Sequence, residues 1–165
     1  MKETAYPLLF TFREPVAGKG FLAGVSARGR VLAVFEDGEW WYYGVEPGAM
    51  AEGGATPQEA YARFLAALRN YLQDAAAEAT SFQDLEAEVR RFFRQIDDVE
   101  ETRWKAVLRA VRNGDVAAEG PFSELPREPA DSPCGLLGFV RLDEASGFEA
   151  VKRSSVPPEL FRPAA

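Results

Sequence analysis

The 165-residue chain contains no histidine and a single cysteine, Cys134. Catalysis by Ser-His-Asp or Cys-His arrangements needs an imidazole base, so the composition excludes both mechanisms. One cysteine cannot form a disulfide within the chain, and zinc sites lose their two commonest ligand types. Carboxylate chemistry remains, but most of the 26 acidic residues are expected to be solvated surface. We therefore predict a protein without catalytic residues, metal or cofactor, with a carboxylate- or metal-dependent enzyme as the alternative.

Basic residues and long apolar runs are also scarce. The chain has 19 Lys and Arg against 26 Asp and Glu, a net charge of −7. Nucleic-acid backbones and anionic membranes attract basic proteins, so this charge disfavours both as main partners and allows a basic protein. No apolar run approaches the roughly 20 residues that span a bilayer. Because the N-terminus also lacks the pattern of a signal peptide, we expect a cytoplasmic protein with no membrane partner.

The first third of the sequence has the composition of β-strands. Apolar or alternating segments span residues 8–12, 21–25, 31–35 and 39–45. Asp37-Gly38 separates the last two segments and is the strongest hairpin signal, since both residues tolerate positive φ. Strands joined by such short turns are antiparallel. We predict an α+β fold in which an antiparallel meander of three to four strands packs on an amphipathic helix.

The segment 39–45 is unusually aromatic, with the sequence EWWYYGV. Strand alternation places Trp40 and Tyr42 on one face and Trp41 and Tyr43 on the other. A helix can cover one face, and the other face is covered either by the C-terminal part of the chain or by a partner. Because Trp and Tyr often anchor interfaces, all four residues are candidate interface residues. We expect a homodimer in which a sheet face or edge is shared.

A turn-rich junction follows this strand, with Pro47-Gly48 and Gly53-Gly54 as turns on either side of residues 49–52. Thr56 fits a helix N-cap, and Glu59 lies three residues later, as in a capping box. The apolar stripe of this helix contains Tyr61, Phe64, Leu65, Leu68, Tyr71 and Leu72. A structural role for Thr56 and Glu59 is favoured over a functional one.

The order of strands, Pro-Gly turn, glycine and Thr-x-x-Glu-Ala helix resembles the HicB-like antitoxin family over residues 7–73. The matching residues are Pro47, Gly48, Gly53, Thr56, Glu59 and Ala60. The resemblance implies a β-β-β-α module related to double-stranded-RNA-binding folds. It also implies oligomerisation and, in many members, neutralisation of the small ribonuclease toxin HicA. Many members add a helix-turn-helix or ribbon-helix-helix segment that binds operator DNA. This chain departs from the pattern by an extra strand-like segment and a long C-terminal half.

The second half is predicted to contain two more helices. Ala75 to Thr80 is a small-residue bridge, after which Ser81 caps a helix that carries a Glu86–Arg90 ion pair. A third helix spans residues 100–112 and stops at Asn113-Gly114. The two could form a helix-turn-helix, but the basic residues of the third helix fit a solvated face better, so DNA is not an expected partner.

The predicted organisation has three parts: a HicB-like module at 1–74, a two-helix segment at 75–120, and a C-terminal part at 121–165. The last part contains a Pro- and acid-rich linker, a hairpin of strands 136–142 and 148–152, and an irregular tail. The leading functional hypothesis is a protein-binding module of the HicB antitoxin type that neutralises a small basic ribonuclease by direct contact. A HicB-like oligomer with another role and an enzyme remain as alternatives.

Overall fold

The computed structural model describes residues 4–115, Phe122 and residues 133–144. This part of the chain is α+β, as predicted, with one antiparallel sheet in the strand order β1-β2-β3-β4 and with β5 beside β2. The strands are β1 (Thr4–Gly18), β2 (Phe21–Glu36), β3 (Glu39–Glu46), β4 (Ala51–Gly54) and β5 (Gly135–Arg141). The helices are α1 (Pro57–Glu78), α2 (Phe82–Phe93) and α3 (Asp98–Arg112).

Strand β2 is continuous, so the prediction of separate strands at 21–25 and 31–35, and of an extra strand before the junction, was wrong. Gly29 lies inside β2 because residues of β1 and β3 approach it closely. A Cβ at Gly29 would lie 2.5 Å from the Phe10 ring of β1 and 2.5 Å from the Glu46 carbonyl oxygen of β3. Residues 30–36 pair with β3, and residues 23–28 pair with β5. The two shorter strands therefore lie end to end along one side of β2, and the opposite side pairs with β1 along its full length.

The Asp37-Gly38 hairpin is confirmed, with φ values of 51° and 81° at its two turn residues. The turn predicted at Gly53-Gly54 is not present, since both residues belong to β4. Gly53 packs under Trp41, where a Cβ would lie 3.0 Å from the indole ring. A Gly-Gly pair by itself predicts a turn, but Gly53 is required here because the Trp41 ring packs on it.

Local signals located the start of each helix well. The Thr56 hydroxyl accepts a hydrogen bond from the Glu59 amide at 3.1 Å. The Glu59 carboxylate accepts from the amide of Ala55, one residue before the cap, at 2.9 Å. Helix α1 continues to Glu78, so the predicted small-residue bridge is largely helical and the predicted boundary between residues 74 and 75 falls inside α1.

The two later helices also begin at polar caps. Ser81 caps α2 as predicted, and the predicted Glu86–Arg90 pair has a distance of 3.2 Å. Asp97 caps α3, which starts at Asp98, two residues earlier than predicted. The predicted stop is confirmed, because Gly114 follows the C-cap with a φ of 77°.

Replacing Thr56 with alanine should lower the free energy of unfolding by about 1 kcal/mol, because the Glu59 amide loses its acceptor. The exposed Thr102 hydroxyl only bonds back to the Asp98 carbonyl within α3, so Thr102→Ala is the matched control and should be nearly neutral. Urea unfolding followed by tryptophan fluorescence measures both. Equal effects of the two substitutions would contradict the capping role.

The sheet is packed on both faces. Helices α1 and α2 cover one face and enclose a large cluster that includes Phe10, Phe64 and Phe93. Helix α3 covers part of the other face, where Trp104 packs with Leu32 and neighbouring residues. Because α2 and α3 lie on opposite faces, they do not form the helix-turn-helix that the sequence allowed.

The first strand of the predicted C-terminal hairpin is confirmed as β5, which extends the sheet beside β2. The second predicted strand, at 148–152, lies outside the described residues, as does the predicted linker apart from Phe122 and Pro133. Within the described part of the chain, no helix is both long and apolar enough to cross a membrane.

Candidate functional site

The two faces of the aromatic strand β3 have different surroundings. Tyr42 is 2% exposed and packs beside Tyr61 and Phe64 of α1. Trp40 on the same face is half-buried between Tyr6 and Phe122. Of the four predicted interface residues, Tyr42 therefore belongs to the core and cannot contact a partner, and Trp40 is largely engaged within the chain.

The opposite face of β3 carries a surface at the end of the β2–β3 hairpin. We call this the tip surface; it consists of Glu36, Asp37, Glu39, Trp41 and Tyr43. The Trp41 and Tyr43 rings stack with centroids 6.2 Å apart, and both residues are half-buried. Tyr43 packs partly on the α3 cluster, but Trp41 belongs to neither core cluster. Trp41 is thus the aromatic residue of β3 most available to a partner.

The tip surface carries acidic residues whose positions do not stabilise the hairpin. Glu36 and Glu39 lie directly opposite each other across β2 and β3, with Asp37 in the turn between them. Like charges at directly opposed positions on neighbouring strands destabilise a sheet. The Tyr43 hydroxyl donates a hydrogen bond to Glu36, which orients that carboxylate. Burial, followed by the neighbouring Glu36, raises the pKa of Tyr43, so the hydroxyl remains a donor at neutral pH.

The start of α3 adds charge beside Tyr43. The Arg103 guanidinium lies 5.4 Å from the Tyr43 ring centroid and 3.6 Å from the Glu100 carboxylate. Burial lowers the pKa of Arg103. Burial, then the nearby Asp97 and Glu36, raises the pKa of Glu100. A carboxylate held among other carboxylates favours an incoming cation, because a cation offsets their mutual repulsion.

A groove of about 410 Å³ runs from the tip surface to the edge of β4. Trp41 and Glu39 line one side of it, and the Glu59–Arg63 pair of α1 lines the other. A second groove of about 470 Å³ lies between α1 and α2 and is lined by Tyr71 and several carboxylates. Among the described residues, no group of three His, Cys, Asp or Glu side chains is arranged to hold a metal ion.

The residues that carry the HicB-like resemblance hold the junction between β3 and α1 together. Pro47 is buried, and its peptide bond with Glu46 is cis. The Gly48 amide donates to the Gln95 carbonyl at 2.8 Å, and a Cβ at Gly48 would lie 2.6 Å from the Asp97 amide nitrogen. Gly48 therefore lets the α2–α3 connection approach the sheet.

The remaining motif residues are also structural. Thr56 and Glu59 cap α1, and Ala60 is fully buried against Gly54, where a Cβ would lie 2.8 Å from the Ala60 amide nitrogen. The motif thus fixes the geometry of the strand–helix junction, and the tip surface lies beside it.

Sequence reasoning missed Glu39 and Arg103 as parts of the site. Glu39 could have been found, because a two-residue Asp37-Gly38 turn places residues 36 and 39 opposite each other. Arg103 could not, because its approach to Tyr43 depends on where α3 packs on the sheet.

The chain matches no protein-family model, no curated protein and no solved structure in the three comparisons made.

Proposed function

We propose that this protein is a non-enzymatic binding module that holds a basic protein partner on the tip surface. One observation carries the proposal: Trp41 lies outside both core clusters, stacked on Tyr43, beside two carboxylates held directly opposite each other. A tryptophan that is only partly buried and an unfavourable like-charge pair are difficult to explain by folding alone. Both become favourable when a cationic partner covers them.

The two parts of the tip surface have different roles in this proposal. Trp41 supplies apolar area and a ring face that attracts lysine or arginine side chains. Glu36, Asp37 and Glu39 supply the negative field, which steers a basic partner towards the surface and suppresses acidic ones. Lysine or arginine side chains between Glu36 and Glu39 would also relieve the repulsion within the hairpin.

The resemblance of residues 7–73 to HicB-like antitoxins supplies the class of partner. We propose that this segment is a HicB-like module, in which β1, β2 and β3 precede the capped helix α1 and β4 is added at the junction. The partner is then a small basic ribonuclease, and the acidic tip surface covers the basic surface with which that enzyme binds RNA.

Co-expression tests this function in cells. A small basic ribonuclease encoded beside this protein should arrest growth when expressed alone, and co-expression of this chain should restore growth and yield a complex that co-purifies. If growth is not restored and no complex forms, although both proteins are folded, the antitoxin role is rejected.

Neutralising the exposed acids of the tip surface should slow association with the ribonuclease. The double variant D37N/E39Q should reduce the association rate constant several-fold at low salt, on the order of 3- to 10-fold, and flatten its dependence on ionic strength. The matched control is D74N/E78Q, which removes the same charge from exposed positions on α1. Stopped-flow kinetics at several salt concentrations measures both, and equal rates for the two double variants would contradict a steering role for the tip surface.

A further inference from the structure

The groove between the tip surface and the edge of β4 contains more negative than positive charge. Glu39, Glu52 and Glu59 all line it. Arg63 lines it as well, but its guanidinium already donates to the Glu59 carboxylate at 2.6 Å and to the Gly53 carbonyl at 2.8 Å. Within the part of the chain that the structure describes, neither Glu39 nor Glu52 forms an ion pair. Two carboxylates of the groove therefore lack a counter-charge among the described residues.

An aromatic surface lies beside these carboxylates. The partly exposed Trp41 lines the groove and packs over Gly53, where a Cβ would lie 3.0 Å from the indole ring. Gly54 and Ala55 continue the lining with little or no side chain, so an incoming group can approach the backbone closely. Tryptophan faces attract cationic side chains, and arginine stacks on them because its guanidinium is planar. The groove thus combines a surface for stacking with two acceptors for a cation.

A side chain, rather than an added strand, is the occupant that the edge of β4 allows. The Gly53 carbonyl accepts from Arg63, and the Ala55 amide donates to Glu59 at 2.9 Å. These bonds occupy backbone groups with which a partner strand would pair. The carboxylates of the groove also repel phosphate groups, which disfavours nucleotides and nucleic-acid backbones. A cationic side chain of a protein is the ligand whose charge complements the groove.

We infer that the groove binds one arginine side chain of the basic protein partner, an inference that rests on the proposed function. The guanidinium stacks on Trp41 and donates to Glu39 and Glu52, and the aliphatic stem packs along the glycines of β4. Arginine is favoured over lysine because its planar fork of N–H donors can reach two carboxylates while it stacks. Arg63 binds within the groove in a related way, with two guanidinium nitrogens on two different acceptors. Glu52, which lies outside the tip surface, thereby becomes part of the binding surface.

Titration of the isolated chain tests the groove without the partner. The probe is N-acetyl-arginine amide at low salt, and the Trp41 indole N–H signal, assigned with W41F, is followed by NMR. We expect a saturable shift with a Kd of about 1 to 10 mM, the range for a ligand of roughly 15 heavy atoms. N-acetyl-lysine amide should bind on the order of 3- to 10-fold more weakly, because it lacks the planar fork.

Glu52→Gln is the variant that separates the groove from the rest of the binding surface. E52Q should raise the Kd of the arginine probe on the order of 5- to 10-fold, because one acceptor loses its charge. The matched control is E78Q, which removes the same charge from an exposed position on α1 outside this groove and should leave the Kd unchanged. A probe that causes no saturable shift, or that binds E52Q as tightly as the wild type, overturns the inference.

A double-mutant cycle with the proposed ribonuclease tests whether the arginine belongs to that partner. When each arginine of the ribonuclease is replaced by lysine in turn, one replacement should raise the Kd about tenfold against the wild type and much less against E52Q, because both changes remove the same contact. A complex that W41A weakens and E52Q does not overturns the groove inference and leaves the proposed function standing. If no complex forms although the probe binds in a Glu52-dependent way, the ribonuclease function is rejected and the arginine site is supported.

Discussion

Replacing Arg30 with methionine should lower the free energy of unfolding by about 3 to 5 kcal/mol, because two partly buried carboxylates lose the guanidinium that pairs with both of them. Arg30 is 9% exposed in the middle of β2. Its guanidinium lies 3.0 Å from Glu46 of β3 and 3.1 Å from Glu101 of α3, and 5.2 Å from the Trp104 ring centroid. This side chain therefore connects both neighbouring elements to the centre of the sheet.

The large expected loss of stability comes from the two carboxylates that remain in the R30M variant. Methionine fills most of the volume of the arginine stem, so the cavity it creates is small. Glu46 and Glu101, with side chains only 14% and 24% exposed, would then repel each other, and only the more exposed Lys105, 3.8 Å from Glu101, would remain as a counter-charge to Glu101. The triple variant R30M/E46Q/E101Q should recover part of the loss, because no uncompensated charge remains.

Urea unfolding measures the effect of R30M, and R63M is its matched control. Arg63 forms a 2.6 Å ion pair with Glu59 whose side chains are 57% and 41% exposed, so its loss should cost less than about 1 kcal/mol. If R30M and R63M destabilise the protein equally, Arg30 does not hold the sheet and α3 together.

The parts of the fold that the sequence predicts are those set by neighbouring residues. The Asp37-Gly38 turn and the cap of α1 at Thr56 depend on side chains within four positions, and both are confirmed. The continuity of β2 depends on distant residues. Arg28-Gly29-Arg30 has the composition of a turn, but Gly29 accommodates Phe10, and Arg30 is neutralised by carboxylates 16 and 71 residues away.

The features of the candidate site also fall into those that neighbouring residues determine and those that depend on distant packing. Strand alternation correctly separates Trp40 and Tyr42 from Trp41 and Tyr43. It cannot show which face is more completely covered, because that depends on the packing of α1 and α3 against the sheet. The structure shows Tyr42 in the core and Trp41 outside it. Of the four candidate aromatic residues, Trp41 and Tyr43 therefore remain as parts of the tip surface.

Replacing Trp41 with alanine should weaken binding of the proposed basic ribonuclease partner by about 2 kcal/mol, or roughly 30-fold in Kd. The change should appear mainly as faster dissociation, since the acids that steer association remain. The stability of the protein should change little, because Trp41 contributes to neither core cluster and its ring packs only on Gly53 and beside the partly exposed Tyr43 ring. Leu137 is 49% exposed on β5, and L137A is the matched loss of an exposed apolar side chain.

The proposed binding site is tested most directly by the Kd of the complex between this chain and the proposed small basic ribonuclease partner, measured by titration calorimetry for the wild type, W41A and L137A. The account predicts an unchanged Kd for L137A and a Kd about 30-fold higher for W41A, with both variants folded. A W41A variant that binds as tightly as the wild type would contradict the assignment of the tip surface as the binding site.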